Sequence, residues 1–432
     1  MTAGSRGDVA PYTGLAHGLA QAGHEVTVAT HESFGALVRA AGVGFHPLPV
    51  DPRAELESAR GRALHDSTTG PGKILRLVGM ARALVGDMVP PLVEVARESD
   101  VLLLSSSLAP LGHTIGACLG VPTMGTYLQP LHPTREFGPP VVGGRSWGPV
   151  GNRLGGHVVS GAVDRVFADA VRTTVRDVLR LPPRAVRATG HRARERRGWP
   201  VHHGFSPLVV PRPRDWREGL TVSGYWWPYD PPGAQLPPRV REFLDAGPKP
   251  VFVGLGSATV PEPARTSALV VRALRAAGLR GVIQRGWAGL GAGDGEGPGA
   301  RGVVGAGEGE GPDMLTVEEV PHSLLFPEMA AVVHHCGAGT TAAGLRAGVP
   351  AVPVPVQFDG GFWAARLAAL GVAPEPVPLR RLTPDRLAAA LTVTIRRPSH
   401  SGAATRLAGR MREEDGVGPV LAAVNRLGGR GS

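Results

Sequence analysis

The sequence predicts an α/β protein built from two parallel-sheet domains. The first observation is an ordered series late in the chain. Ala331-Val332-Val333 is an apolar, β-branched run; the small-residue turn Cys336-Gly337-Ala338-Gly339-Thr340 follows, and Thr341 to Ala347 forms helix. Gly348 and Pro350 stop that helix, and Ala351 to Val356 reads as a second strand, which completes one β-turn-α-β unit. The second observation is a shorter version of the same series at the start of the chain. The turn Gly4 to Asp8 leads into a helix from Val9 to Ala22, with Leu15, Leu19 and Ala22 on one face, and then a strand from Glu25 to Thr30. The third is length, because 432 residues supply two hydrophobic cores.

Taken in order, the first helix has Asp8 at the position of an N-cap and Pro11 in the first turn, where proline is tolerated. Residues 47–70 read as loop, and Ile74 to Arg97 as helix interrupted near Pro90-Pro91. Val101 to Leu104 is a buried strand, Gly112 to Leu119 a helix and Val121 to Tyr127 a strand. Asn152 to Leu181 reads as one or two helices, and a strand-like stretch ends at Val210. Residues 228–249 begin with a proline-rich run and read as the linker. The second domain then runs strand Val251 to Gly254, turn Leu255-Gly256-Ser257, helix Pro263 to Gly278 and strand Gly281 to Arg285. A low-complexity Gly/Glu loop spans Gly291 to Pro312, followed by a strand from Leu315 to Val320. Helices at Thr383 to Ile395, Ala403 to Arg412 and Val417 to Arg426 close the chain.

Composition narrows the function classes. No apolar window is long enough for a transmembrane helix, and no signal peptide is recognisable, so the cytoplasm is expected. Two cysteines, Cys118 and Cys336, make neither a disulfide framework nor a metal set. The net charge of +10 is almost all arginine, densest from Arg184 to Arg197. That run reads as solvated surface, with transient contact to an anionic membrane as the alternative. No aromatic platform accompanies it, so nucleic acid is not an expected partner.

The turn at Cys336–Thr340 has the chemistry of an anion site. Small residues admit close backbone approach, and a helix start offers unpaired N–H groups and a positive dipole end. His335 and the Thr340 hydroxyl add donors, so a diphosphate fits; a turn whose glycines serve packing alone is the alternative. No carboxylate pair is placed at a strand end to hold a metal, and no metal or cofactor is expected.

The series His335-Cys336-Gly337, Gly339-Thr340, Arg346 to Pro350 and Phe362-Trp363 resembles the donor segment of family 1 nucleotide-sugar glycosyltransferases of GT-B fold. It is most similar to the bacterial sterol-glucosyltransferase-like and antibiotic branch. Gly4 to Val9 with Pro11-Tyr12, Tyr127 to Thr134, His203 to Pro207 and Gly224 to Pro228 match the same branch in order. The resemblance implies two Rossmann-like domains facing a cleft. Residues 1–227 would take the acceptor and 250–410 the nucleotide sugar, and residues 411–432 would pack back towards the first domain. In that branch an apolar strand precedes the first glycine turn. Here only Thr2 and Ala3 stand for it, so the centre of the first sheet is expected to lack an element, through a start assigned too late or a shortened chain.

The implied reaction is inverting, metal-independent transfer of a hexose or deoxyhexose from a UDP- or dTDP-sugar to a hydroxyl of a sterol-like or polyketide molecule. Asp8 would be the general base, with helix capping as the alternative role. Ser257, His335, Gly337, Ala338, Gly339 and Thr340 would hold the diphosphate, with His335 and the helix start neutralising it. Val320 and His322 would hold the nucleoside, and Asp359 and Gly360 the sugar. Gln129, His132 and Phe137 would border the acceptor, with His132 a second candidate base. Gly360 stands where the family often has Gln, which relaxes discrimination among sugars. Glu319 and Ala343 stand where plant members carry Trp and Glu, and Trp287 is a candidate stacking surface. A catalytically impaired nucleotide-sugar-binding protein and a nucleotide-sugar 2-epimerase are the alternatives, and the chain is expected to be a monomer or homodimer.

Overall fold

A computed structural model describes residues 1–49, 87–180, 190–291 and 311–429. Most of the expected loop at 47–70, most of the helix at 74–97 and most of the Gly/Glu loop lie outside the described residues; Pro47 and Leu48, expected in the loop, end a strand, Gly44–Leu48, and 87–97 are helical. The chain divides into two units. The first comprises residues 1–139, 146–231 and 415–432, and the second residues 140–145 and 232–414.

In the first unit, β1 (Thr27–His31) pairs in parallel with β2 (Gly44–Leu48). A parallel four-stranded sheet runs β3 (Leu102–Leu104), β4 (Thr123–Tyr127), β5 (Val201–His203) and β6 (Leu220–Val222). Met1–Ala3 joins the two pieces. Thr2 N–H donates to Ala29 O at 3.0 Å, the Met1 amino group to Leu103 O at 2.9 Å, and Ser105 N–H to Met1 O at 3.0 Å. The centre of the sheet, expected to lack an element, is therefore occupied by three residues.

The first helix is Arg6–Gln21, three residues longer at its start than the apolar pattern indicates. Ser5 is its N-cap, not Asp8, and Pro11 lies in its second turn rather than its first. Its face of Val9, Tyr12, Leu15, Ala16 and Leu19 is buried. Tyr12, Leu15 and Leu19 pack with Met124, Leu128 and Trp226, and with Val420, Ala423 and Val424 of the last helix, Gly418–Gly428. Trp226 Nε1 donates to Gly416 O at 2.8 Å and so ties residues 415–432 into the first unit. No strand ends at Val210; the strand of this region is β5, and Val209 and Val210 close turns on Ser206 O.

The second unit holds one five-stranded parallel sheet. These strands are β7 (Val251–Gly254), β8 (Gly281–Gln284), β9 (Met314–Val317), β10 (Ala331–His334) and β11 (Ala351–Pro353). Inward side chains alternate along the strands to feed two cores: Val251 and Val253 belong to one, Phe252 to the other. A helix at Pro238–Asp245 occupies sequence expected to be linker. The segment Pro140–Arg145 packs against the helix Gly360–Ala369: a methyl group on Gly361 would lie 3.1 Å from Gly143 O, and one on Gly144 2.7 Å from the Phe362 ring. No described helix is long and apolar enough to cross a membrane.

Candidate functional site

The second sheet grows in two directions from its middle. From β7 the chain moves outward through β8 to β9, then returns to the other side of β7 for β10 and β11. Ligands of open parallel sheets bind beyond the carboxyl ends of the strands where the order reverses, here between β7 and β10. The segments that leave those two ends are Leu255-Gly256-Ser257 and His335 to Thr340.

His335 is the centre of this arrangement. A methyl group on Gly256 would lie 2.6 Å from His335 Cε1, and one on Gly337 would lie 2.4 Å from His335 Nε2. One on Gly360 would lie 2.9 Å from the His335 carbonyl oxygen. The histidine is thus set among bare backbone contributed by three separate turns. Gly256 also needs to be glycine for its φ of +56°. His335 Nδ1 is buried and has no protein partner among the described residues. Burial pushes the ring down to about pKa 4, so it is neutral at pH 7. A neutral imidazole offers one N–H donor, and the helix start beside it offers the positive end of a dipole.

The chain turns sharply at Cys336, whose φ is +65°, and the Cys336 N–H donates to His334 Nδ1 at 3.2 Å. The helix then begins at Ala338, with Gly337 as an N-cap that has no side-chain bond. It starts three residues before the expected Thr341, which puts Ala338, Gly339 and Thr340 in its first turn, where N–H groups lack helical partners. Ser257, half-buried beside Gly256, caps nothing; the next helix, Pro263–Ala276, has Glu262 at its N-cap. Asp359 is the N-cap of the helix Gly360–Ala369, and its Oδ2 accepts from the buried Trp363 Nε1 at 2.8 Å. Val320 is buried, and His322 stacks on Phe326 with ring centroids 4.2 Å apart. Ser257, His335, Gly337 to Thr340 and Gly360 therefore converge at one sheet edge. Sequence reasoning missed the turn after β8. Trp287 N–H donates to Gly256 O at 2.9 Å, and Gly286, at φ +54°, has no room for a side chain, since a methyl group there would lie 2.6 Å from that oxygen. The signal was a glycine immediately after a strand.

In the first unit Asp8 is the third residue of its helix. Its Oδ2 accepts from the Ser5 N–H at 2.9 Å and the Ser5 hydroxyl at 3.0 Å, the reciprocal half of a capping box. Burial raises the Asp8 pKa, and the bonds from Ser5 together with the neighbouring Gln129 side chain oppose that shift, so the structure brings these two candidates together. Phe137 is half-buried.

His132 has other company. Its Nδ1 lies 3.2 Å from His203 Nε2, its ring stacks on Tyr127 and meets Trp216 edge-on, and burial holds its pKa well below the ordinary value. Those contacts explain His132 by packing. The arginine run is also not wholly solvated, since Arg194 is buried, bonds Asp164 at 3.1 Å and lies over the Trp199 ring; residues 181–189 lie outside the described part.

Residues 308–422 match the family description "Erythromycin biosynthesis protein CIII-like, C-terminal domain", and residues 1–93 match "Glycosyltransferase family 28 N-terminal domain". O-mycaminosyltylonolide 6-deoxyallosyltransferase of Streptomyces fradiae is 35% identical over 434 residues, which cover 96% of this chain and 94% of that protein. The chain is a family 1 GT-B glycosyltransferase. Sterol 3-beta-glucosyltransferase UGT80B1 of Arabidopsis thaliana is 32% identical over 99% of the glycosyltransferase chain and 67% of its own length. The chain spans 64% of the related UGT80A2 and 27% of the sterol 3-beta-glucosyltransferase of Cryptococcus neoformans. Among solved structures, the glycotransferase of kitacinnamycin superposes with a TM-score of 0.65 at 19% identity, covering 99% of this chain and 97% of that one. VinC in complex with dTDP gives 0.63 at 21% identity, covering 99% and 98%. Both share the fold of this glycosyltransferase, with parallel sheets in separate Rossmann-like domains.

Proposed function

We propose that this glycosyltransferase moves a hexose or deoxyhexose from a UDP- or dTDP-sugar to a hydroxyl of a lipophilic small molecule, sterol-like or polyketide, with inversion and without a metal. The observation that carries the donor half is the helix start at Ala338, uncapped by any side chain, next to the His335 ring, whose buried Nδ1 has no protein partner among the described residues. A diphosphate supplies the acceptor oxygens that both lack. His335, Gly337, Ala338, Gly339, Thr340 and Ser257 bind it, Val320 and His322 face the nucleoside, and Asp359 bonds sugar hydroxyls. Gly360 adds no amide, and a side chain there meets the His335 carbonyl, which favours a donor with fewer hydroxyl contacts.

Asp8 takes the proton from the acceptor hydroxyl as it attacks the anomeric carbon, the sugar–phosphate bond breaks, and the nucleoside diphosphate leaves with the electron pair. Residues 1–227 serve the acceptor and 250–410 the donor. The sterol and macrolide activities in the names of its relatives set the acceptor class. The chain works as a monomer or homodimer in the cytoplasm, with transient contact to membranes; light scattering and vesicle sedimentation check these points.

The test is a mass-spectrometric screen of UDP-glucose and several dTDP-deoxysugars against sterol, flavonoid and macrolide acceptors. A hexose or deoxyhexose mass gain on an acceptor is expected. Tight nucleotide-sugar binding with no transfer to any acceptor would overturn the reading in favour of a binding protein.

A further inference from the structure

The helix Gly148–Thr173, in the first unit, turns apolar residues outward and polar or small ones inward. Its inward side carries Asn152, 2% exposed, and the buried Gly156, where a methyl group would lie 2.8 Å from Pro133 Cα. Asn152 fastens the helix, since its Oδ1 accepts from the Trp147 N–H at 2.8 Å and its Nδ2 donates to Arg135 O at 3.1 Å. On the opposite side Trp147, Val150, Leu154 and Val158 are 51, 69, 60 and 72% exposed. Their spacing of three, four and four puts them on one line, about 16 Å long. A surface helix ordinarily lays such a stripe on the core. Trp147 lies against glycines of the same helix: a methyl group on Gly151 would meet its Cβ at 2.9 Å, and one on Gly155 its ring at 2.5 Å.

The stripe runs into a cation-rich cavity. Leu154 lines a cavity of about 720 Å³ together with His157, Asp164, His191, Arg192 and Arg196. Arg192 and Arg196 are exposed, and His191 Nε2 is buried with no hydrogen-bond partner among the described residues. The acidic groups nearby are already engaged. Asp164 accepts from the Arg194 guanidinium at 3.1 Å and from the His191 N–H, and Glu195 pairs with Arg217 at 3.1 Å. Arg153 stands one turn before His157 on the same flank; Asp215, 3.9 Å from it, accepts from the Thr134 hydroxyl at 2.6 Å.

We propose that this helix and cavity form a docking surface for a bilayer of anionic lipid, the stripe lying among acyl chains and the cavity taking a lipid phosphate. This deepens the membrane contact of the proposed function and rests on that reading, in which a lipophilic acceptor partitions into the bilayer. Apolar and cationic groups side by side, with tryptophan at the boundary, are what an interfacial helix presents to an anionic membrane. A second copy of the chain fits less well, because both facing surfaces would carry an excess of arginine.

The test sediments the full chain with vesicles of phosphatidylcholine and of a phosphatidylcholine–phosphatidylglycerol mixture. Binding is expected to the mixture. V150E/L154E should lose at least tenfold in affinity at low and at high salt, through the apolar contact. R192Q/R196Q should lose about fivefold per arginine at low salt and little at high salt. I395E, which alters an exposed apolar residue of the second unit, should bind like wild type. Brominated acyl chains should quench the tryptophan fluorescence of wild type, and W147F should lose most of that quenching. All these positions are exposed, so melting temperatures should stay near that of wild type. No sedimentation with the mixture, wild-type affinity in either double variant, or unchanged quenching in W147F overturns the proposal. Self-association of wild type that V150E/L154E abolishes, without vesicle binding, would give the stripe to a second copy instead. None of these readouts needs turnover. Full transfer to an acceptor in solution with no vesicle binding would overturn the docking surface alone, and vesicle binding with no transfer would overturn the proposed activity alone.

Discussion

Asp8 has a structural role, since it completes the capping box with Ser5, and the proposed function gives it a second, as general base. A cap contributes about 1 kcal/mol to stability, whereas a general base contributes 10²–10⁴-fold in rate. Asp8→Asn separates the two, because the amide oxygen still accepts from Ser5 but takes no proton. The expected outcome is a loss of kcat of about 10²-fold or more with nucleoside-diphosphate affinity unchanged, measured by steady-state kinetics and calorimetry. Turnover within a few-fold of wild type would leave Asp8 as a cap alone.

At the scale of elements, the site depends on turns that carry no side chain. Gly337 and Gly256 flank the His335 ring, and a methyl group on Gly337 would meet Nε2 at 2.4 Å. Gly337→Ala must therefore displace the ring or the helix start behind it. Nucleoside-diphosphate affinity is expected to fall at least tenfold, about 1.4 kcal/mol, with little change in melting temperature. Affinity within twofold of wild type would show that the ring is not part of the diphosphate site. These turns also show what the sequence made legible. The β10 run and the glycines after it stand next to one another in the chain, so strand, turn and helix could be read directly. The neutral state of His335 could not, because the backbone that buries it comes from Gly256 and Gly360, far away in sequence. Three-residue strands such as β6 are too short to display alternation, and the helix Pro238–Asp245 begins on a proline inside a proline-rich run that reads as linker. Asp8 reads as the N-cap because the apolar pattern begins at Val9, whereas the helix begins on the polar residues before it.

At the scale of the molecule, both units bury neutral histidines. His203 is pushed down to about 3 and His202 to about 4 in the first unit, and His334 to about 3 and His335 to about 4 in the second. Unfolded, each takes up a proton near pH 6.5. The unfolded chain therefore binds more protons than the folded one as pH falls from about 6.5 towards 4, and stability drops over that window by up to about 1.4 kcal/mol per pH unit for each such histidine. Thermal unfolding should show a Tm that falls more steeply below pH 6.5 than it does between pH 8 and 7. A Tm level down to pH 5 would mean that these rings are protonated without penalty.

The return of residues 415–432 to the first unit, fixed by the bond from Trp226 to Gly416, also sets an order of events during synthesis. Nearly all of the second unit is one uninterrupted stretch, residues 232–414, and every strand of its sheet has left the ribosome before residue 415 is made. The first unit begins at the amino terminus yet lacks Val420, Ala423 and Val424 from its core until the last residues emerge. Its sheet must wait with one apolar face of the helix Arg6–Gln21 incompletely covered, for as long as it takes to translate the whole of its neighbour. The half of the enzyme that carries Asp8 thus starts before its neighbour and is completed after it.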